Sequence, residues 1–191
     1  MKLSSVPARI WQHVFNGLRA ITVQPYTEAN VKRGLQFYAN VEFIAVPVGT
    51  TKNIVFKTGA KAVIVKQRTL NFTGSSKLYY RVYEGVTYTG GTAVTVGNEN
   101  RVSPEATTVL SVHTATLGSL PATYRQLAVY GTSSGQGNNI SRLGQDTQGL
   151  ETILKANTTY VVTLENNAGS TGDIQFGLSW YEGGTDLPAE E

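Results

Sequence analysis

The sequence predicts an all-β protein: a single antiparallel β-sandwich, jelly-roll-like, preceded by an N-terminal arm. Three observations predict it. Apolar residues recur at every second position in run after run, which is the side-chain period of a strand with one buried face. Gly, Pro and Asn break the chain at short intervals and leave no room for the crossover helices of a parallel α/β sheet. The composition agrees, because of 191 residues 40% are hydrophobic, only 15% are charged, and 20 are glycine.

The clearest stretch is Leu154 to Glu182. Tyr160, Val162 and Leu164 fall on one side of its first run, and Ile174, Phe176, Leu178 and Trp180 on one side of its second. Between them Asn166, Asn167, Gly169 and Gly172 tolerate the positive φ of a tight reversal, so the two runs are expected to pair as antiparallel neighbours.

Residues 1–33 read as the arm. Ser4 and Ser5 stand before Pro7, and Ile10, Trp11, Val14, Phe15 and Leu18 follow at helical spacing with Gly17 as a stop, which predicts a short amphipathic helix. Arg19 to Arg33, interrupted by Pro25, reads as an extended connector. From Gly34 the period shortens to two: Val41, Phe43 and Ala45, then Ile54 to Phe56, then Ala62 to Val65. Beyond Lys66 the alternation slips before Leu70 and Phe72 restore it, the signature of a bulge or of two short strands. Leu78, Tyr80 and Val82 alternate with Lys77, Tyr79, Arg81 and Tyr83, so Tyr80 is expected to face inward. Val94 and Val96, Leu110 and Val112, and Leu127 to Tyr130 give further strands, and Leu150 to Lys155 is the one later stretch with helical character. The count is nine or ten strands within a domain spanning residues 34–182, followed by an acidic tail, 183–191, with nothing to bury. Two loops, Asn98 to Glu105 and Gly131 to Gly149, are long enough to suggest contacts.

The net charge of +3 hides an asymmetry. Residues 1–81 hold twelve Lys and Arg against Glu28 and Glu42, a net +10, while the remainder is −7. That split predicts either a basic and an acidic pole or charges scattered over a solvated surface. There is no cysteine, so neither a disulfide framework nor a thiolate metal site is available. No apolar run is long enough to span a bilayer, and no membrane partner is expected.

Catalytic patterns fail on context. Gly131-Thr-Ser133-Ser-Gly135 has the nucleophile-elbow spacing, but Gln136 to Asn139 cannot continue as a helix and both histidines, His13 and His113, lie upstream. Glu84, Glu99 and Glu182 read as surface charges at strand ends. No catalytic residue, cofactor or metal is assigned. Lys52, Lys57, Lys61, Lys66 and Arg68 near Tyr79, Tyr80 and Tyr83 have the chemistry of a single-strand groove, but serve equally to meet an acidic protein, and nucleic acid ranks below a protein partner.

The basic arm, Gly34-Leu-Gln-Phe-Tyr38, Tyr88-Thr-Gly-Gly-Thr92, Asn98-Glu-Asn-Arg101, Leu154-Lys-Ala-Asn-Thr-Thr-Tyr160 and Trp180-Tyr-Glu182 together resemble small virion structural proteins of tailed bacteriophages, nearest to β-sandwich capsid decoration or stabilisation proteins. The resemblance runs across residues 34–182. It implies a noncatalytic protein on the capsid surface of the virion, with the major capsid protein as partner and a homotrimer as the favoured oligomer. Arg9, Trp11, Phe15, Arg19, Lys32, Arg33, Lys52, Lys57 and Lys61 are then the expected capsid or subunit contacts, the basic ones meeting an acidic surface and Trp11 and Phe15 burying under a neighbour. The alternatives are a tail, neck or fibre component and, from another class, a carbohydrate-binding module with Tyr79, Tyr83 or Tyr181 as stacking platforms.

Overall fold

The computed structural model describes residues 11–15, 18–22, 26–123, 125–131 and 152–183. It opens with an antiparallel hairpin of β1 (Trp11–Phe15) and β2 (Leu18–Thr22), in register from Trp11 opposite Thr22 to Phe15 opposite Leu18. The helix expected here is therefore corrected to a strand pair. Aromatic and β-branched side chains give up rotamer freedom in a helix but fit a pleated surface, and a partner strand supplies the backbone bonds.

The connector expected up to Arg33 is likewise corrected, because it contains α1 (Tyr26–Lys32). Glu28 in the first turn and Lys32 in the last oppose the helix dipole and pair with each other at 3.2 Å. Gly34, at φ +71°, ends the helix: its N–H bonds Val31 O at 2.9 Å and the Leu35 N–H reaches back to Asn30 O at 3.0 Å. That is a Schellman closure, and it needs the left-handed conformation glycine adopts without strain.

The body then runs β3 (Gln36–Val46), β4 (Thr51–Lys57), β5 (Ala62–Phe72) and β6 (Ser76–Glu84). Five short strands follow: β7 (Tyr88–Thr89), β8 (Thr92–Ala93), β9 (Val96–Asn98), β10 (Leu110–His113) and β11 (Thr116–Leu117). The return leg is β12 (Arg125–Gly131), β13 (Thr152–Leu154), β14 (Thr159–Ala168) and β15 (Gly172–Gly183). Outgoing and returning strands pair antiparallel from the outside in: β3 with β15, β4 with β14, β5 with β13, β6 with β12. This is one long hairpin, and wrapping it sets β15 beside β5 and β14 beside β6. The result is two facing sheets, β13-β5-β15-β3-β9 and β12-β6-β14-β4-β10-β8. The predicted antiparallel sandwich of jelly-roll form is what the chain builds.

Wrapping also corrects two expectations. β14 and β15 are consecutive and the apolar face predicted for each is turned inward, yet they lie in opposite sheets rather than side by side. Val162 and Leu164 meet Ile174 and Phe176 across the sandwich interior, so the shared apolar face is a packing contact between layers. The helical reading of residues 150–155 also gives way, since Thr152–Leu154 pairs with Val63–Val65 as β13.

The slip at Lys66 is a bulge. Ser179 stands opposite Gln67 but Trp180 opposite Val65, so one extra residue sits in β5. It returns Val63 and Val65 to the interior around the fully buried Trp180, where Phe56 meets the indole edge to face at 5.0 Å. A third apolar cluster lies on the outer side of β4 and β14, where Val86, Ala115 and Leu117 of the insertion between β6 and β12 cover Val55, Tyr83 and Val161. β14 is consequently buried on both faces.

Candidate functional site

Glu182 is the first of the predicted surface charges to be relocated. At 1% exposure it is inside, and its carboxylate accepts hydrogen bonds from the Thr107 hydroxyl, the Thr108 N–H at 2.9 Å, the Thr108 hydroxyl at 2.7 Å and the Trp180 indole N–H at 3.3 Å. It latches the insertion to the last strand. Glu84, at the end of β6, is bonded to Lys155 at 2.5 Å. Among the described residues no three His, Asp or Glu side chains converge on a common point as metal donors. The Ser133 motif lies outside the described residues.

Pairing of β6 with β14 brings Arg81 of the basic first half against Glu165 of the second at 2.5 Å, and Arg81 also stacks on Tyr79 at 4.9 Å. Among the platforms proposed for sugar, Tyr83 is 8% and Tyr181 4% exposed, which removes both as stacking surfaces. Tyr80 faces inward as expected, and Lys52 and Lys57 stand on a different sheet from Lys66 and Arg68, so the residues named for a nucleic-acid groove are divided between the layers.

The expected contact residues are spread along the molecule. Trp11, Phe15 and Arg19 belong to the β1–β2 hairpin, and Arg9 lies outside the described residues. Lys32 is paired with Glu28, and Arg33 is exposed just beyond it. Lys57 and Lys61 are exposed beside the turn from β4 to β5. Lys52 sits at the other end of β4, with its ammonium 6.0 Å from the Phe43 ring. Arg33 and Lys61 precede the two strands that flank β15, so these two lie toward one end of the sandwich.

At the opposite end is a feature that alternation did not reveal. The corner from the end of β3 into β4 holds Ile44 at 73% and Val48 at 51% exposure. It is clamped from behind: Ala45 N–H donates to Asp173 Oδ1 at 2.7 Å, Gly49 N–H to Asn166 O at 2.7 Å, and Asn166 Nδ2 to Val46 O at 2.8 Å. Asn166 is itself fully buried and also bonds Ser170 O and Ala168 N–H, so the clamp is anchored in the core. Ala45 is thereby held at φ +51°, a left-handed conformation that costs a residue with a Cβ about 1–2 kcal/mol. A turn kept in that state with two apolar side chains outward is a pre-shaped contact surface. Pro47 and Gly49 marked the turn in the sequence. Ile44 and Val48 carried no signal of their own in the alternation, which ran through Val41, Phe43 and Ala45.

Comparison with family models, with curated proteins and with solved structures finds no match to this chain. The geometry defines the class: a jelly-roll sandwich whose buried polar groups latch its own segments together and whose clamped β3–β4 corner carries exposed apolar side chains.

Proposed function

We propose that the protein is a noncatalytic structural component of a tailed-bacteriophage virion that binds the capsid surface as a decoration or stabilisation protein. The observation that carries the reading is the clamped β3–β4 turn, which holds Ile44 and Val48 in water on a backbone already paid for in strain. Rigid apolar anchors lose little entropy when a partner covers them, which is how a small protein gains affinity from a small contact. Lys57, Lys61 and Arg33, exposed at the other end of the sandwich, supply positive charge that steers the protein toward an acidic lattice, and the resemblance read from the sequence supplies the setting.

The test is sedimentation of purified protein with mature heads of the phage. A saturable, lattice-matched stoichiometry is expected, with Ile44→Asp and Val48→Asp each weakening binding about tenfold or more. No binding to heads, or immunogold label confined to the tail, refutes the capsid assignment; the tail outcome selects the tail, neck or fibre alternative instead.

A further inference from the structure

The β13-β5-β15-β3-β9 sheet turns Val41, Phe43, Leu70 and Phe176 into the interior, so the alternate residues of β3, β15 and β5 form its outer face. Register fixes the neighbours there: Gly177 lies between Asn40 and Thr69, and Gln175 between Glu42 and Asn71. Amides and hydroxyls dominate these rows, and Glu42 is their one charge. The middle of the face is low. A Cβ on Gly177 would come within 2.4 Å of Thr69 Oγ1 and 2.6 Å of Asn40 Oδ1, so these side chains close over the central strand because glycine leaves the space to them.

Beside this low centre lies a ring. Tyr38 is half-buried on β3, opposite Gly97 of β9, and a Cβ on Gly97 would stand 2.4 Å from its Cζ, 2.5 Å from Cε1 and 2.6 Å from the hydroxyl oxygen. Near-equal distances to three adjacent atoms mean that the glycine meets the face of the ring and not its edge. The ring is therefore laid flat across the β3–β9 edge with its other face outward. Two acceptors on the same face also lack donors. Gln36 Nε2 donates to Ser179 Oγ at 3.2 Å and Asn71 Nδ2 to Gln175 Oε1 at 2.8 Å, yet Gln36 Oε1 and Asn71 Oδ1 have no hydrogen-bond partner among the described residues. Covered acceptors are nearly always matched, and these two stand on opposite sides of the Gly177 row. Both side chains are only half-buried, so a small rotation brings either oxygen to a donor at the surface.

We propose that this face binds a neutral, extended oligosaccharide, a β-1,4-linked pyranose chain, with one sugar stacked on Tyr38 and its neighbours hydrogen-bonded to Asn40, Gln175 and the open amide oxygens. The C–H face of a pyranose is apolar and packs on an aromatic ring, while its hydroxyls donate and accept as the Asn and Gln amides do. A face with a single carboxylate offers little to a charged ligand and, with its centre made of amides and hydroxyls, little to an apolar peptide. Its length also fits. From Tyr38 to Asn71 it runs four residues along the strands and two strands across, about 16 Å, the span of about three sugar rings. The face lies on the opposite sheet from Tyr79, and it does not rest on the virion reading, so a sugar titration without phage heads succeeds or fails apart from it.

Cellohexaose, xylohexaose and mannohexaose, each titrated into the full chain and followed by amide NMR, test it. At least one should bind saturably and shift the amides of Tyr38, Asn40, Gly97 and Gly177, with the matching monosaccharide about tenfold or more weaker. Tyr38→Ala should weaken that hexaose about tenfold or more, and Asn40→Ala and Gln175→Ala, both at exposed positions, about three- to tenfold each. Tyr79→Ala on the other sheet should leave binding unchanged, and the same spectra report the folding of every variant. No saturable binding of any of the three hexaoses, shifts centred on Tyr79, or affinity unmoved by both Asn40→Ala and Gln175→Ala would overturn the assignment.

Discussion

Glu182→Gln keeps the shape of the latch between the insertion and the last strand, removes its charge and turns one acceptor into a donor. Two opposing effects set the outcome. Holding a carboxylate at 1% exposure costs several kcal/mol, and among the described residues no cation pairs with it. Against this stand four donors from Thr107, Thr108 and Trp180, and hydrogen bonds to a charged group contribute about 1.5–3 kcal/mol each. The donors win. In the glutamine, one amide orientation still satisfies the Thr107 hydroxyl and the indole, and the Thr108 hydroxyl can rotate to accept. The Thr108 N–H keeps only the longer of its two bonds, 3.1 Å to the Oε1 oxygen, since an amide N–H₂ then stands where Oε2 was 2.9 Å away. Losing the shorter bond and the charge assistance amounts to about 2 kcal/mol. Glu182→Ala strands the Thr108 and Trp180 donors and empties the site, for about 3–5 kcal/mol. At roughly 2–4 °C per kcal/mol for a domain of this size, the glutamine variant should melt about 4–8 °C lower. Thermal melts give the total, and hydrogen exchange locates it, with the Thr108 amide accelerating more than amides in the centre of β14. A glutamine variant as stable as the parent, or an unchanged Thr108 amide, would refute the latch.

Three further outcomes are expected. Because burial raises the Tyr80 pKa above the unfolded value near 10, the folded state keeps that proton longer; the resulting stability is present below pH 10 and fades as pH climbs through the folded pKa. Tyr80→Phe should flatten the fall of Tm above pH 10, and parallel Tm–pH curves would count against the buried, protonated phenol. Gly172→Ala should destabilise by about 1–3 kcal/mol, because its Cβ would stand 2.5 Å from Gly74 N, a backbone atom that cannot swing away, whereas Gly169→Ala, with only Ser75 Oγ at 3.5 Å, should stay within about 0.5 kcal/mol in a urea titration. Lys57→Glu with Lys61→Glu should slow association with heads and blunt its salt dependence, leaving dissociation nearly unchanged in surface plasmon resonance; a change confined to the off-rate would place these lysines in the contact itself.

The strand faces were legible in the chain because they depend on a local period. Val41 and Phe43, Leu78 and Tyr80, Val162 and Leu164, and Ile174 and Phe176 all bury the side that alternation assigns them. Even the bulge at Lys66 showed as a one-residue slip, since an extra residue in a strand must shift the pattern of every side chain after it. The arm was misread because five or six residues with apolar spacing fit a helix and a hairpin equally, and which one forms depends on a partner strand that spacing does not name. The latch at Glu182 gave no local sign, for its acceptors are filled by Thr107 and Thr108, distant in the chain. The clamped turn was visible as Pro47 and Gly49, but its rigidity comes from Asn166 and Asp173 on the return leg.

By itself the sequence determined that this chain makes strands, where most of them turn, and which side of each is apolar, because φ/ψ preference and a period of two act over a few residues. Only the tertiary structure decided that consecutive strands part to opposite sheets, that Arg81 meets Glu165 and that a carboxylate goes inside. Those outcomes depend on wrapping one hairpin around itself, a choice made by contacts between residues about a hundred positions apart, such as Thr58 with Thr158, which no local pattern encodes.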